Sequence, residues 1–343
     1  VNQELGKHPQ AVGDYSDAIR LDPDNAAYYN HRGAVYQNLG QPQRAIGDYS
    51  QAIHFDPDNA IYYNNRGTAY KQSGQYLRAM ADYDRALHLD PQYAAAYYNR
   101  GVAYKNLDRI EPAIEDLTQA IRFDPQNAIY YRNRGVIYKK ARQYHRAIED
   151  YNLAIRIDPR YGRAYFNRGV AYKKLGRYQD AIDDYTQAIR LMPNYTRAYH
   201  NRGVAYKNLR QYQRAIEDYN EAIRLDPANA IIYYHRGNVY SRLGQYRRAI
   251  EDYDEAIRFD PNMTEAYYRR GVTYKNYGRP YEAMLDYNQA IRLDPNYAEA
   301  YISRGAAYLN LGEFDRACED FLKACELDEC AYLSWSREKG YCH

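Results

Sequence analysis

Nine prolines set the frame for this chain. Pro23, Pro57, Pro91, Pro125, Pro159, Pro193, Pro227, Pro261 and Pro295 fall 34 residues apart without exception. A fixed period of that length means one supersecondary unit copied many times, so the 343 residues need not divide into ordinary globular domains. Placing each proline at position 32 gives nine units starting at 26, 60, 94, 128, 162, 196, 230, 264 and 298, filling residues 26–331. Residues 1–25 fit positions 10 to 34 of one more unit: Leu5-Gly6 repeat Leu39-Gly40, and Ala11, Asp14, Tyr15 and Ala18 repeat Ala45, Asp48, Tyr49 and Ala52. The sequence is thus expected to open partway through a helix, and residues 332–343 to form a helix that caps the far end.

Each unit holds two helical patterns. Position 4 is always Tyr, position 8 Gly, position 11 Tyr, and positions 20 and 27 Ala, while position 24 is Tyr except at Leu117 and Phe321. These residues have helical spacing in two stretches, separated by a glycine that stands at position 15 in most units. Asp-Pro at positions 31 and 32 (Met192-Pro193 once) ends the second stretch, because the residue before proline is driven out of the α region. The unit is therefore a pair of antiparallel helices, A and B, each of about 13 residues. Gly at 8 and Ala at 20 are small, we expect, because A and B cross closely there. So short a pair cannot bury its apolar faces alone and must stack on its neighbours. Tyrosine fits such a stack: 45 of them against 6 Phe and 1 Trp suit surfaces packed on one side and wet on the other.

An aromatic at 4, Gly at 8, Tyr at 11, Ala at 20, an aromatic at 24, Ala at 27 and Pro at 32 resemble the tetratricopeptide repeat (TPR) in nine units in register. The lapses are Leu117 and Glu329, which stands where the last proline should be. The resemblance implies an all-α, right-handed superhelical solenoid with helices A on the concave side. It also implies a non-catalytic protein-interaction scaffold.

Two departures from the family pattern always occur together. Position 7 is Arg in all nine units, from Arg32 to Arg304, and position 23 is Asp in all nine, from Asp48 to Asp320. We expect an ion pair between them, within a repeat or with its neighbour; a half-buried bidentate pair fixes geometry more than it adds stability. The alternative is that these arginines meet ligand.

If helix A lines the groove, position 6 faces inward and reads His31, Asn65, Asn99, Asn133, Asn167, Asn201, His235, Arg269 and Ser303. An amide is both donor and acceptor, so such a row could hold an extended peptide backbone; the alternative is a solvated residue copied as repeats duplicated. Position 12 adds Lys71, Lys105, Lys139, Lys173, Lys207 and Lys275, with Lys140, Lys174 and Arg242 at position 13. A net charge of only +3 therefore conceals a basic inner face, which favours an acidic peptide partner, unless these lysines merely solubilise. The carboxylate clamp of chaperone-binding TPRs is approached by Arg132, Asn167 and Arg197, but Val136 and Asn201 break its pattern.

No phosphate-binding loop, nucleophile elbow or H-E-x-x-H motif occurs, so no enzyme activity, cofactor or metal is expected. No apolar run approaches the roughly 20 residues of a membrane span, and the low net charge makes no case for general nucleic-acid binding. Single-stranded RNA on the lysine rows, or self-association through an exposed end repeat, are the alternative readings. The four cysteines, Cys318, Cys325, Cys330 and Cys342, are either small core residues or bridges, for which Cys318–Cys342 and Cys325–Cys330 are the candidate pairs. Nothing in the sequence fixes a compartment.

Overall fold

A computed structural model describes residues 8–342; Leu5 and Gly6 lie outside them. All the secondary structure among the described residues is helical, and the chain forms two compact units, residues 1–175 and 176–343. The first unit starts with α1 (His8–Leu21). It continues in pairs, α2 (Ala26–Asn38) with α3 (Pro42–Phe55), α4 (Ala60–Gln72) with α5 (Tyr76–Leu89), α6 (Ala94–Asn106) with α7 (Ile110–Phe123), and α8 (Ala128–Lys140) with α9 (Tyr144–Ile157), and ends on α10 (Gly162–Lys174). The second opens on α11 (Tyr178–Leu191) and runs through α12 (Thr196–Asn208) with α13 (Tyr212–Leu225), α14 (Ala230–Arg242) with α15 (Tyr246–Phe259), α16 (Thr264–Asn276) with α17 (Pro280–Leu293), and α18 (Ala298–Asn310) with α19 (Phe314–Glu326). It closes on α20 (Ala331–Glu338).

Local chemistry sets the boundaries. Asp90 before Pro91 is extended (φ −131°, ψ 94°) and stops α5. Asn25, Asn59 and Asn127 accept a backbone N–H two residues on and so cap α2, α4 and α8. Within each pair the turn at position 15 needs a left-handed residue. Glycine supplies it at Gly40, Gly74, Gly176, Gly244, Gly278 and Gly312, whereas Asp108, Arg142 and Arg210 take φ of 63°, 59° and 57° there at steric cost.

The core is a row of tyrosines packed on glycines. Tyr83, Tyr151, Tyr219 and Tyr287, all at position 24, are fully buried on helices B. A Cβ added to Gly135 would lie 2.7 Å from Cε1 of Tyr151, and one on Gly67 would meet both Tyr83 and the Ala79 carbonyl, the latter at 3.1 Å. Helices A and B thus approach closely at positions 8 and 20, which is why neither carries a larger side chain.

The Arg–Asp pairs form within a repeat rather than between neighbours. Arg32–Asp48, Arg66–Asp82, Arg100–Asp116, Arg134–Asp150, Arg202–Asp218, Arg236–Asp252, Arg270–Asp286 and Arg304–Asp320 are all bidentate, with Nη2–Oδ1 distances of 2.6–2.8 Å. The Arg66 guanidinium also lies between Tyr63 and Tyr70, 5.7 and 6.0 Å from the ring centroids. Its Nη1 donates to Ser50 Oγ on the helix B of the preceding repeat, at 3.2 Å. The same third bond recurs at position 25 with whatever acceptor stands there: Asp84 for Arg100, Thr118 for Arg134, Asn152 for Arg168, Asn220 for Arg236. One arginine therefore ties three helices together and staples each repeat to the one before it.

The C-terminal end departs from the repeat. The helix α20 has 8 residues rather than 13, and Trp335, aligned with the position-4 tyrosines, stands 44% exposed while Leu333 is buried instead. Disulfides Cys318–Cys342 and Cys325–Cys330 fasten this short helix to α19, and Gly340 at φ 75° ends it.

Candidate functional site

Helices A of successive repeats touch one another: α2 with α4, α4 with α6 and α6 with α8 in the first unit, and α12 with α14 and α14 with α16 in the second. Positions 5, 6, 12 and 13 therefore meet across repeats. Asparagines of position 6 use this proximity to reach position 5 of the preceding repeat. Asn65 Nδ2 donates to Asn30 Oδ1 and Asn99 Nδ2 to Asn64 Oδ1, both at 2.9 Å. Asn133 donates to the Tyr98 hydroxyl at 3.3 Å and to the Ile129 carbonyl at 2.8 Å. Asn201 donates back to the Arg197 carbonyl at 2.8 Å, and Asn167 occupies the same position on α10. At the ends of the row His31 is exposed and stacks on Tyr15 at 5.6 Å. His235 stacks on Tyr219 at 6.3 Å, and Arg269 lies over Tyr268 at 5.5 Å.

The lysines divide by surroundings. Lys71 is half-buried, donates to Asn99 Oδ1 at 2.9 Å, and has its ammonium pKa pushed down to about 8, by burial first and by Lys105 second. Burial, Arg132 and Lys140 lower that of Lys105, and burial, Arg242 and Arg269 lower that of Lys207. Lys275 is exposed, and Lys139 and Lys173 hold the same register on α8 and α10. Lys140 forms an ion pair with Asp108.

The structure thus gathers two cation clusters, Lys71 with Lys105 and Arg132, and Lys207 with Arg242 and Arg269. The second lines a cavity of about 280 Å³ together with Tyr234, His235 and Asn238. Arg242 stood among the position-13 cations and Arg132 in the approach to the carboxylate clamp, but the repeated rows did not show that they meet Lys207 and Lys105, because positions 5 and 13 change from unit to unit. Their signal was charge at neighbouring positions rather than recurrence. No group of three or more His, Cys, Asp or Glu that could hold a metal ion occurs among the described residues, nor is any described helix long and apolar enough to cross a membrane.

No curated protein matches the chain in sequence. Among solved structures, that of the APC/C hetero-tetramer Cut9–Hcn1 is 15% identical, covers 96% of this chain and 80% of its own, and superposes with a TM-score of 0.55. A tetratricopeptide repeat protein from Parabacteroides merdae is 20% identical, with coverages of 72% and 98% and a TM-score of 0.53. The pilF protein of Pseudomonas aeruginosa is 19% identical, with coverages of 64% and 96% and a TM-score of 0.54. At these identities the likeness concerns the fold alone. The family models are closer in register: the tetratricopeptide repeat matches residues 26–59, 94–127, 162–195, 230–263 and 264–297. A second TPR model matches 4–40, 67–108, 143–176 and 211–244, and a third 49–81, 184–217 and 286–319. With matches that together span residues 4–127 and 143–319, and helix pairs that repeat throughout both units, this chain belongs to the tetratricopeptide repeat family.

Proposed function

We propose that this protein is a non-catalytic scaffold that takes an extended, acidic peptide segment along the helix A faces of its repeats. Tetratricopeptide repeats in general bind protein or peptide partners. The observation that carries the acidic preference is the crowding of cations. Lys71, Lys105 and Lys207 are half-buried, and each has its proton loosened by burial and by neighbouring positive charge. A carboxylate entering either cluster relieves that repulsion, and among the described residues no acid forms an ion pair with Lys207, Arg242 or Arg269.

The asparagines have a smaller part. Asn65 and Asn99 each already commit one amide N–H to a neighbouring side chain. A peptide backbone replaces those bonds one for one and gains little net energy. In this reading the amides fix the register of the peptide, and the cations supply the attraction.

Fluorescence anisotropy tests the proposal with a labelled 12-residue peptide rich in Glu and Asp and its Gln/Asn counterpart. The acidic peptide should bind at least about tenfold more tightly, should weaken as salt rises from about 0.05 to about 0.3 M, and should be lost on Lys71→Gln/Lys105→Gln/Lys207→Gln. Equal binding of both peptides would reject the proposal. Displacement by an equal concentration of single-stranded RNA, with a steep salt slope, would put nucleic acid in the peptide's place.

A further inference from the structure

We infer that the cavity between α12, α14 and α16 is a receptor for one phosphoryl group carried on a side chain of the peptide partner. This rests on the peptide-binding reading and narrows it. The wall brings Lys207 from α12, Arg242 and Tyr234 from α14 and Arg269 from α16 to one space of about 280 Å³, with no Asp or Glu in the lining. That is several times the roughly 30 Å³ of a water molecule in the liquid, enough for a phosphoryl group with the side chain that bears it.

Several of the other polar groups of the wall already have neutral partners. Tyr253 donates its hydroxyl to Asn238 Oδ1 at 3.0 Å, and Ser241 Oγ lies 3.0 Å from Thr273 Oγ1. Arg269 bonds the Tyr234 hydroxyl, a neutral partner that leaves its positive charge unanswered. Lys207, Arg242 and Arg269 have no ion pair with any described carboxylate, and Lys207 feels both arginines as repulsion.

Three positive charges distinguish a phosphate monoester from a carboxylate. An aspartate or glutamate side chain brings one negative charge and two oxygens, leaving most of the cluster unanswered. A phosphoryl group brings about −1.5 to −2 charges at pH 7 and three strong acceptor oxygens. Guanidinium forks match those oxygens two at a time, and Arg269 is already held over the Tyr268 ring, 5.5 Å from its centroid. The cluster in residues 1–175 lacks this demand. There the Lys71 ammonium has the Asn99 amide oxygen 2.9 Å away, and the Lys140 charge is met by Asp108.

Titration followed by ³¹P NMR tests the inference on the full chain, with N-acetylphosphoserine amide and inorganic phosphate as probes and N-acetylaspartate amide as competitor. The phosphoserine amide should bind, and at least about a tenfold excess of the aspartate amide should be needed to displace it. Arg242→Gln and Arg269→Gln should each weaken it about tenfold. Both side chains are exposed, so these variants should keep the parental melting curve, and Arg247→Gln on α15 should leave binding unchanged. Displacement by equimolar aspartate amide, binding indifferent to both arginine variants, or inorganic phosphate binding tenfold tighter than the phosphoserine amide would each overturn the inference. The acidic-peptide anisotropy assay on the same samples separates the two readings. Peptide binding without phosphoserine binding removes only this inference, and loss of both removes the proposed function with it.

Discussion

Replacing Arg134 by Leu should unfold the repeat around it, and the structure says by how much. Arg134 donates from Nε to Asp150 Oδ2 at 2.9 Å, from Nη2 to Oδ1 at 2.8 Å and from Nη1 to Thr118 Oγ1 at 3.0 Å. The Asp150 side chain is 4% exposed and that of Arg134 16%. Leucine leaves the carboxylate charged, buried and unpaired, which costs about 3–5 kcal/mol. Because each repeat touches only its neighbours, the loss should be local: hydrogen exchange should quicken in α8, α9 and the adjoining helices before the far repeats respond. The double variant Arg134→Leu/Asp150→Leu removes both charges and should recover to within about 1 kcal/mol of the parent.

The pH dependence has a definite sign. Burial raises the Asp150 pKa above the ordinary carboxylate value, and Arg134 is the principal force pulling it back. In the single variant only the raising force remains. A folded-state pKa above the unfolded one means that stability falls as pH rises through that interval and returns on acidification. The deficit against the parent should therefore be full at pH 7 and shrink toward about pH 4. A single variant that exchanges and melts like the parent would refute the pairing argument, as would a double variant no better than the single.

Four further outcomes follow from the same structure. Gly135→Ala places a methyl group against the buried Tyr151 ring, 2.7 Å from Cε1, and should cost about 1–3 kcal/mol in chemical denaturation. Arg210→Gly relieves a left-handed residue at φ 57° and should raise stability by about 0.5–1 kcal/mol, seen as a higher melting temperature. Acidic-peptide binding to the first unit should weaken as pH rises through about 8, where Lys71 sheds its proton, and Lys71→Gln should flatten that profile. Reduction of Cys318–Cys342, which closes a separation of 24 residues, should release α20 and cost about 3 kcal/mol, read as faster exchange in α19 and α20.

The proline period and the recurring small and aromatic residues made the helix pairs legible from the sequence, because backbone geometry and close packing restrict residue identity. The Arg–Asp pair was legible for the same reason: both identities never vary. The third bond of each arginine was not, because position 25 needs only an acceptor and reads Ser, Asp, Thr or Asn from repeat to repeat. Its last occupant is Leu322, where no arginine follows at position 7 of another repeat, so the rule lay in chemical class rather than in identity. The short α20 escaped as well, since Glu329 and the cysteine bridges replace the proline turn with a different boundary. For the candidate site, rows of like residues were legible, while the cation clusters arise from residues of different positions that only stacking brings together.

The decisive measurement is affinity capture from cell lysate by three immobilised forms of the full chain. These are the parent, a variant with Lys71, Lys105, Arg132, Lys207, Arg242 and Arg269 changed to Gln on helices A, and one with the exposed arginines Arg78, Arg146, Arg214 and Arg248 changed to Gln on helices B. The predicted result is a protein with an acidic segment that is retained by the parent and the helix B variant and lost by the helix A variant. Retention by all three forms, or loss only from the helix B variant, would contradict recognition through the helix A faces.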